Sequence, residues 1–229
     1  MTPDAGSTGL RALGTLATRL RDSLAPRVLG PIVGGMVHGP ERVGGHPALY
    51  LTVDDGPDAE GTPRWLDTLA RHDARAVFFL SAPNAEAHPD QVTAILEAGH
   101  RVGNHGDAHR SAWRHPRAVT AGLARAERVL SEMTGGPVRD VRPPYGRVTP
   151  GLLRWSRTRR LVLWDTMPGD FLPSRSPKRL ATELLTLARP GSIVVLHDGP
   201  PTPRATAALD LALPRLAAAG WRFPALPAP

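Results

Sequence analysis

From residue 48 onward the chain alternates between two kinds of segment, and this alternation limits the folds open to it. Short apolar runs of strand type lie at 48–53, 76–80, 101–103, 140–142, 160–164, 192–196 and 221–225. Between them, segments of helical period cover 62–72, 89–98, 116–134, 149–157, 177–188 and 203–219. Proline opens several of these segments, at the first helical position where its missing N–H costs nothing. Strands that alternate with helices imply a parallel sheet covered by helices. About seven such units suit a barrel-like closure better than an open sheet in two domains. A chain of 229 residues can bury a substantial core as one domain. We divide it into an N-terminal part, residues 1–46, and a domain at 47–229.

The groups that follow the strands share a character. Asp54-Asp55 follow the first, Asn104-His105 the third, Pro143-Pro144-Tyr145 the fourth, Asp165 the fifth and His197-Asp198 the sixth. In a barrel such positions crowd the C-terminal rim, where active sites are built. An enzyme is therefore the leading expectation.

Several other classes fall away. The formal charge is +7, but Lys178 is the only lysine and the arginines are scattered, with no basic cluster interleaved with aromatics. Nucleic-acid binding is not expected. No apolar run approaches the roughly 18 residues of a membrane span. Leu10, Leu13, Leu16, Leu20 and Leu24 recur at helical spacing with Arg11, Arg19, Arg21 and Asp22 between them. That pattern is an amphipathic helix, packed on the domain or touching a membrane surface weakly, and not an export signal. A cytoplasmic or membrane-peripheral location follows as an expectation. With no cysteine in the chain, a metal must be held by His, Asp or Glu.

The stretch GNHGDAHR places His105 and His109 four residues apart, a spacing that brings two imidazoles to one side of a turn. Two imidazoles and a carboxylate form a recurring catalytic metal set with positions left open. Asp54 or Asp55 can supply the carboxylate, as can Asp107, although it sits between the histidines. A divalent cation would relieve the repulsion between Asp54 and Asp55 and bring the pKa of a bound water from about 15.7 to roughly 7. The second aspartate is then free to take the proton. Glycoside hydrolysis also uses paired carboxylates, but set about 5–9.5 Å apart across a sugar, which neighbours in sequence do not provide.

TVDDGPD, NHGDAH, RPPYG, WDTMPGDF and VVLHD occur in the order of the five motifs of the polysaccharide deacetylase family, also called the NodB-homology or carbohydrate esterase family 4 domain. The resemblance runs from about Tyr50 to Leu226. It implies a distorted (β/α) barrel of about seven parallel strands and a hydrolase that removes N-acetyl groups from amino-sugar glycans of chitooligosaccharide or peptidoglycan type. It also implies a divalent metal, zinc foremost, with cobalt or nickel as alternatives. By resemblance Asp54 is the general base, Asp55 joins His105 and His109 as metal ligands, and Arg142 orients Asp54. Tyr145 supplies a backbone N–H to the oxyanion, Asp170 tunes His197, His197 is the general acid, and Leu196 lines the pocket for the acetyl methyl. Two departures stand out: Gly106 where the family has Ser or Thr, and Phe171 where Trp is frequent. The rival functions are hydrolysis of O-acetyl esters or small N-acyl amides, and sugar binding without catalysis.

Overall fold

A computed structural model describes residue 36 and residues 38–229. The amphipathic helix expected at 10–24, with its membrane contact, lies outside the described residues. A small antiparallel pair, β1 (Arg42–Val43) and β2 (His46–Pro47), precedes the main sheet. Then follow β3 (Tyr50–Asp54), α1 (Gly61–Arg71), β4 (Ala76–Ser81), α2 (Ala82–Ala87), α3 (Pro89–Glu97), β5 (Arg101–Gly106) and α4 (Pro116–Met133). The chain continues through β6 (Asp140–Val141), α5 (Pro150–Trp155), β7 (Arg160–Leu161), α6 (Pro177–Leu187), β8 (Ile193–His197) and α7 (Thr202–Ala218).

The six strands β3–β8 form one parallel sheet in the order β7-β6-β5-β4-β3-β8. The sheet curls until its two edges meet. Thr166 bridges Val194 on β8, with Val195 N–H donating to the Thr166 carbonyl at 3.0 Å. Met36, His38 and Gly39 fill the rest of the seam. Met36 pairs with Val162 beside β7, and His38 with Ser192 beside β8. The protein is thus an α/β chain folded as a (β/α) barrel. It has six strands in its sheet where about seven were expected, because the run at 221–225 contributes only a bridge between Ala48 and Arg222.

The six expected helices start where the sequence places them, to within one or two residues, and α2 is a further helix it did not predict. Ser81, Thr149 and Ser176 cap α2, α5 and α6 by accepting from the N–H of Asn84, Leu152 and Arg179. On α1 the buried residues Gly61, Thr62, Trp65, Thr68 and Leu69 trace one helical face.

Two apolar layers result from the strict alternation of strand side chains. Leu51, Val53, Phe78, Leu80, Val194 and Leu196 face the helices and form the larger cluster. Tyr50, Val77, Phe79, Val162 and Ile193 fill the barrel interior. Gly103 belongs to that interior: a Cβ there would lie 2.5 Å from the Phe79 ring, so only glycine lets the ring sit against β5.

Candidate active site

The C-terminal ends of β3, β5 and β8 bring the expected polar groups together. Asp54 closes β3, and Asp55 follows it with a positive φ of 75° that turns its carboxylate onto the rim. Asp is among the few non-glycine residues that adopt this region at moderate cost. His105 lies near the end of β5 and is 4% exposed, while His109 stands in the following loop. Nε2 of His105 lies 3.4 Å and Nε2 of His109 3.7 Å from Oδ1 of Asp55. One donor atom from each of the three residues lies within 4.8 Å of the others.

This donor set fits a divalent cation. Tetrahedral zinc with bonds of about 2.0–2.2 Å holds its ligand atoms roughly 3.3–3.6 Å apart, close to the spacings here. The charge balance agrees. Among the described residues, the buried carboxylates of Asp54 and Asp170 and the partly exposed one of Asp55 face Arg142 and a protonated His197, so the cluster is short of positive charge once the two ligand imidazoles are neutral. Burial holds His109 below the usual histidine value against the pull of Asp55, which favours the neutral ring. Burial raises Asp55, but the hydrogen bond to His105 and the charges of His105, His197 and His109 prevail, taking its pKa to about 2. Asp107 takes no part; its carboxylate packs where a Cβ on Gly122 of α4 would otherwise stand.

Arg142, fully buried, spans the interior. Its Nη1 donates to Oδ1 of Asp54 at 2.6 Å and to the Thr52 hydroxyl at 2.7 Å. Nε and Nη2 donate to the carbonyls of Val162 and Leu163, each at 3.0 Å. The guanidinium lies over the Phe79 ring at 4.2 Å. Four of its five N–H donors are taken up, so Asp54 is held in one place.

On the opposite side, Asp170 grips His197 twice. Oδ1 lies 3.0 Å from Nδ1, and Oδ2 accepts the backbone N–H of His197 at 2.8 Å. Burial alone would lower the His197 pKa. The hydrogen bond and charge of Asp170, with Asp54 and Asp55 behind it, instead raise it to about 9. Tyr145 also has a positive φ, of 60°, and its exposed ring lies against His109, with centroids 4.3 Å apart and planes tilted by 54°. A cavity of ≈ 260 Å³ opens beside His197, with Asp55, Asp58, Asn84 and Phe171 among its walls.

A family model for polysaccharide deacetylase matches residues 42–159, more than half of the chain. The chain belongs to the polysaccharide deacetylase family. A peptidoglycan-N-acetylglucosamine deacetylase from Bacillus cereus is 33% identical over 190 residues, 78% of this chain and 66% of that protein. A chitooligosaccharide deacetylase from Sinorhizobium fredii is 34% identical over 168 residues, covering 69% of this chain and 74% of its own length. Among solved structures, the Bc1960 peptidoglycan N-acetylglucosamine deacetylase superposes with a TM-score of 0.78 at 30% identity, over 85% of this chain and 92% of that one.

Within this deacetylase fold, two expectations from the sequence need correction. Leu196 does not face the site. Side chains alternate along β8, so Leu196 points into the layer beneath the helices while Val195 shares the face of His197. Asp165 is not on the catalytic rim. It accepts from the Ile193 N–H at 3.0 Å and the Ser192 hydroxyl at 3.1 Å, at the opposite end of β8. The departure at Gly106 has a backbone cause: its φ is +93°, where a side chain is strained.

Two supporting residues stand at the strand ends the sequence marks, but it assigns them no role. Asn104 braces the ligand loop, accepting from Gly106 N–H and donating to the Leu123 carbonyl, both at 2.8 Å. Asp198 binds the hydroxyls of Thr62 and Thr202 at 2.6 and 2.9 Å, and its own N–H donates to the Asp54 carbonyl at 2.8 Å. It thereby ties β8 to the turn that carries Asp54 and Asp55. Asn104 lies between Gly103 and the first histidine, and that adjacency was the available signal.

Proposed function

We propose that the chain hydrolyses the N-acetyl amide of amino-sugar glycans, of chitooligosaccharide or peptidoglycan type, with a divalent metal, zinc foremost. The supporting observation is the placing of a fixed carboxylate and a protonated histidine on either side of a His-His-Asp donor set. Asp55, His105 and His109 would hold the metal, which when bound supplies Lewis acidity toward the amide carbonyl and a water that ionises near neutral pH.

The remaining work falls to the protein's own groups. Arg142 occupies Oδ1 of Asp54, which leaves Oδ2 to receive the proton of the attacking water. The Tyr145 N–H is assigned to the developing oxyanion; removing a donor of this kind typically costs about 3 kcal/mol. His197, protonated and oriented through Nδ1 by Asp170, presents Nε2 to the departing nitrogen. An amine is expelled only once its nitrogen carries a proton, and an imidazole that stays protonated up to about pH 9 suits that task. An alkoxide leaving group makes weaker demands, so this observation favours the amide over an O-acetyl ester.

The test is acetate release from N-acetylated chitooligosaccharides and peptidoglycan fragments, with acetylxylan and small N-acyl amides alongside. Metal-supplemented and chelator-treated protein are compared. Release from the glycans that chelation abolishes is expected. Acetate from acetylxylan alone, or none from any substrate with zinc, cobalt or nickel present, refutes the proposal.

A further inference from the structure

Beyond the reacting groups, the rim carries a shelf that the chemistry above does not use. Trp113 is 68% exposed, and Tyr145, which lies against His109, is 53% exposed. Between them lies Arg147. Its guanidinium carbon is 4.8 Å from the Trp113 ring and 5.1 Å from the Tyr145 ring. The Tyr145 ring in turn meets His109 in a tilted contact, with centroids 4.3 Å apart. Two ring contacts therefore lead from a metal-ligand candidate to a cation, along a surface open to solvent.

Arg147 is fixed but uncompensated. Nη1 donates to the Ser111 hydroxyl at 2.6 Å, and the Trp113 indole donates to the Val148 carbonyl at 3.4 Å. Among the described residues no carboxylate lies within ion-pair distance of Arg147. The adjoining loop adds Arg110 and Arg114, both exposed. Aromatic faces suit the apolar faces of sugar rings, and a guanidinium held between two of them can offer its remaining N–H groups to a planar or tetrahedral anion.

We infer that Arg147, with Trp113 and Tyr145, forms a subsite for a sugar bearing an anionic group, carboxylate or phosphate, next to the sugar whose acetamide is cleaved. The inference rests on the deacetylase reading and narrows its substrate class from neutral to acidic glycans.

The test compares kcat/KM for three oligosaccharides that share the same reacting N-acetylglucosamine. One carries an O-lactyl carboxylate on the neighbouring sugar, one the methyl ester of that group, and one a phosphate monoester there. The wild-type chain is expected to prefer an anionic substrate over the ester by about five- to tenfold, carried mainly in KM and shrinking as salt rises. Arg147→Met brings the ratio to about one and Arg147→Lys keeps part of it. Whichever of the two anions shows the larger ratio identifies the ligand's source. Equal rates on acid and ester in the wild type, or a preference that survives Arg147→Met, overturn the inference. The wild-type ratio and its salt dependence decide the matter even if Arg147→Met does not fold. Failure to cleave any of the three refutes the deacetylase reading instead.

Discussion

Replacing Asp170 with Asn tests the acid half of the site in a way that loss of activity alone cannot. The carboxylate accepts both the Nδ1 hydrogen and the backbone N–H of His197, so Asn keeps an acceptor there while removing the charge. In the wild type His197 titrates at about 9. Without Asp170, burial works against only the more distant Asp54 and Asp55, and the value falls to about 6.5 or below. At pH 8 the protonated fraction drops from about nine-tenths to about 3%, a loss of roughly thirtyfold in kcat/KM, while at pH 6 the loss is under about twofold. A cation that neutralises Asp55 moves both enzymes in the same direction, so the separation between them is the readout. The assay is the pH profile of acetate release from an N-acetylated chitooligosaccharide. An Asp170→Asn profile whose alkaline limb coincides with the wild type would refute the argument. Stability has its own signature. A folded pKa above the unfolded value stabilises fully below about 6.5, and the contribution disappears as pH rises through about 9. At about 1.36 kcal/mol per unit, the wild type should exceed the variant by roughly 3 kcal/mol at pH 5 and converge with it above pH 9.

Other outcomes follow from the same geometry. Asp54→Asn should retain metal at full stoichiometry while turnover falls about a hundred- to ten-thousandfold, whereas His105→Ala should lose metal and turnover together; metal analysis beside the acetate assay separates them. Arg142→Met strands the buried Asp54 without its partner and should cost about 3–5 kcal/mol, a calorimetric drop in Tm on the order of 10 °C, part of which Asp54→Asn recovers in the double variant. Gly106→Ala forces a side chain onto a φ of +93°. The expected cost is about 1–3 kcal/mol by thermal unfolding, with weaker metal binding by titration calorimetry.

Much of the barrel could be read from the chain because parallel strands and amphipathic helices leave opposite signatures. Helices α1, α3, α4, α6 and α7 were legible from their period. The rim was legible because carboxylates and imidazoles rarely end apolar runs by accident, and Asp54, Asp55, His105, Arg142 and His197 are drawn to one end of the barrel. What stayed hidden has a common cause. A strand buried on both faces shows no alternation in its sequence, so Val194-Val195-Leu196 gives no hint of which side chain faces in. Asp165 was misplaced because the stagger between β7 and β8 is a property of closure, and no local pattern records it. The seam at Met36 and His38 was invisible for a related reason: single backbone bridges there carry the pairing, without an apolar run. Gly106 became intelligible only once its φ was known.

Arg142 links matters that are usually separable. One end of its guanidinium holds the carbonyls of Val162 and Leu163, beside the seam where the barrel shuts, and the other holds Asp54. The proton acceptor is therefore in register only when the last strands have docked. A chain emerging from synthesis, or one partly opened by heat, has every reacting side chain and no working arrangement of them. Turnover in this protein thus doubles as a gauge of closure. Substitutions chosen to strengthen the seam will also retune the base, so stability and rate here are adjusted through the same guanidinium group.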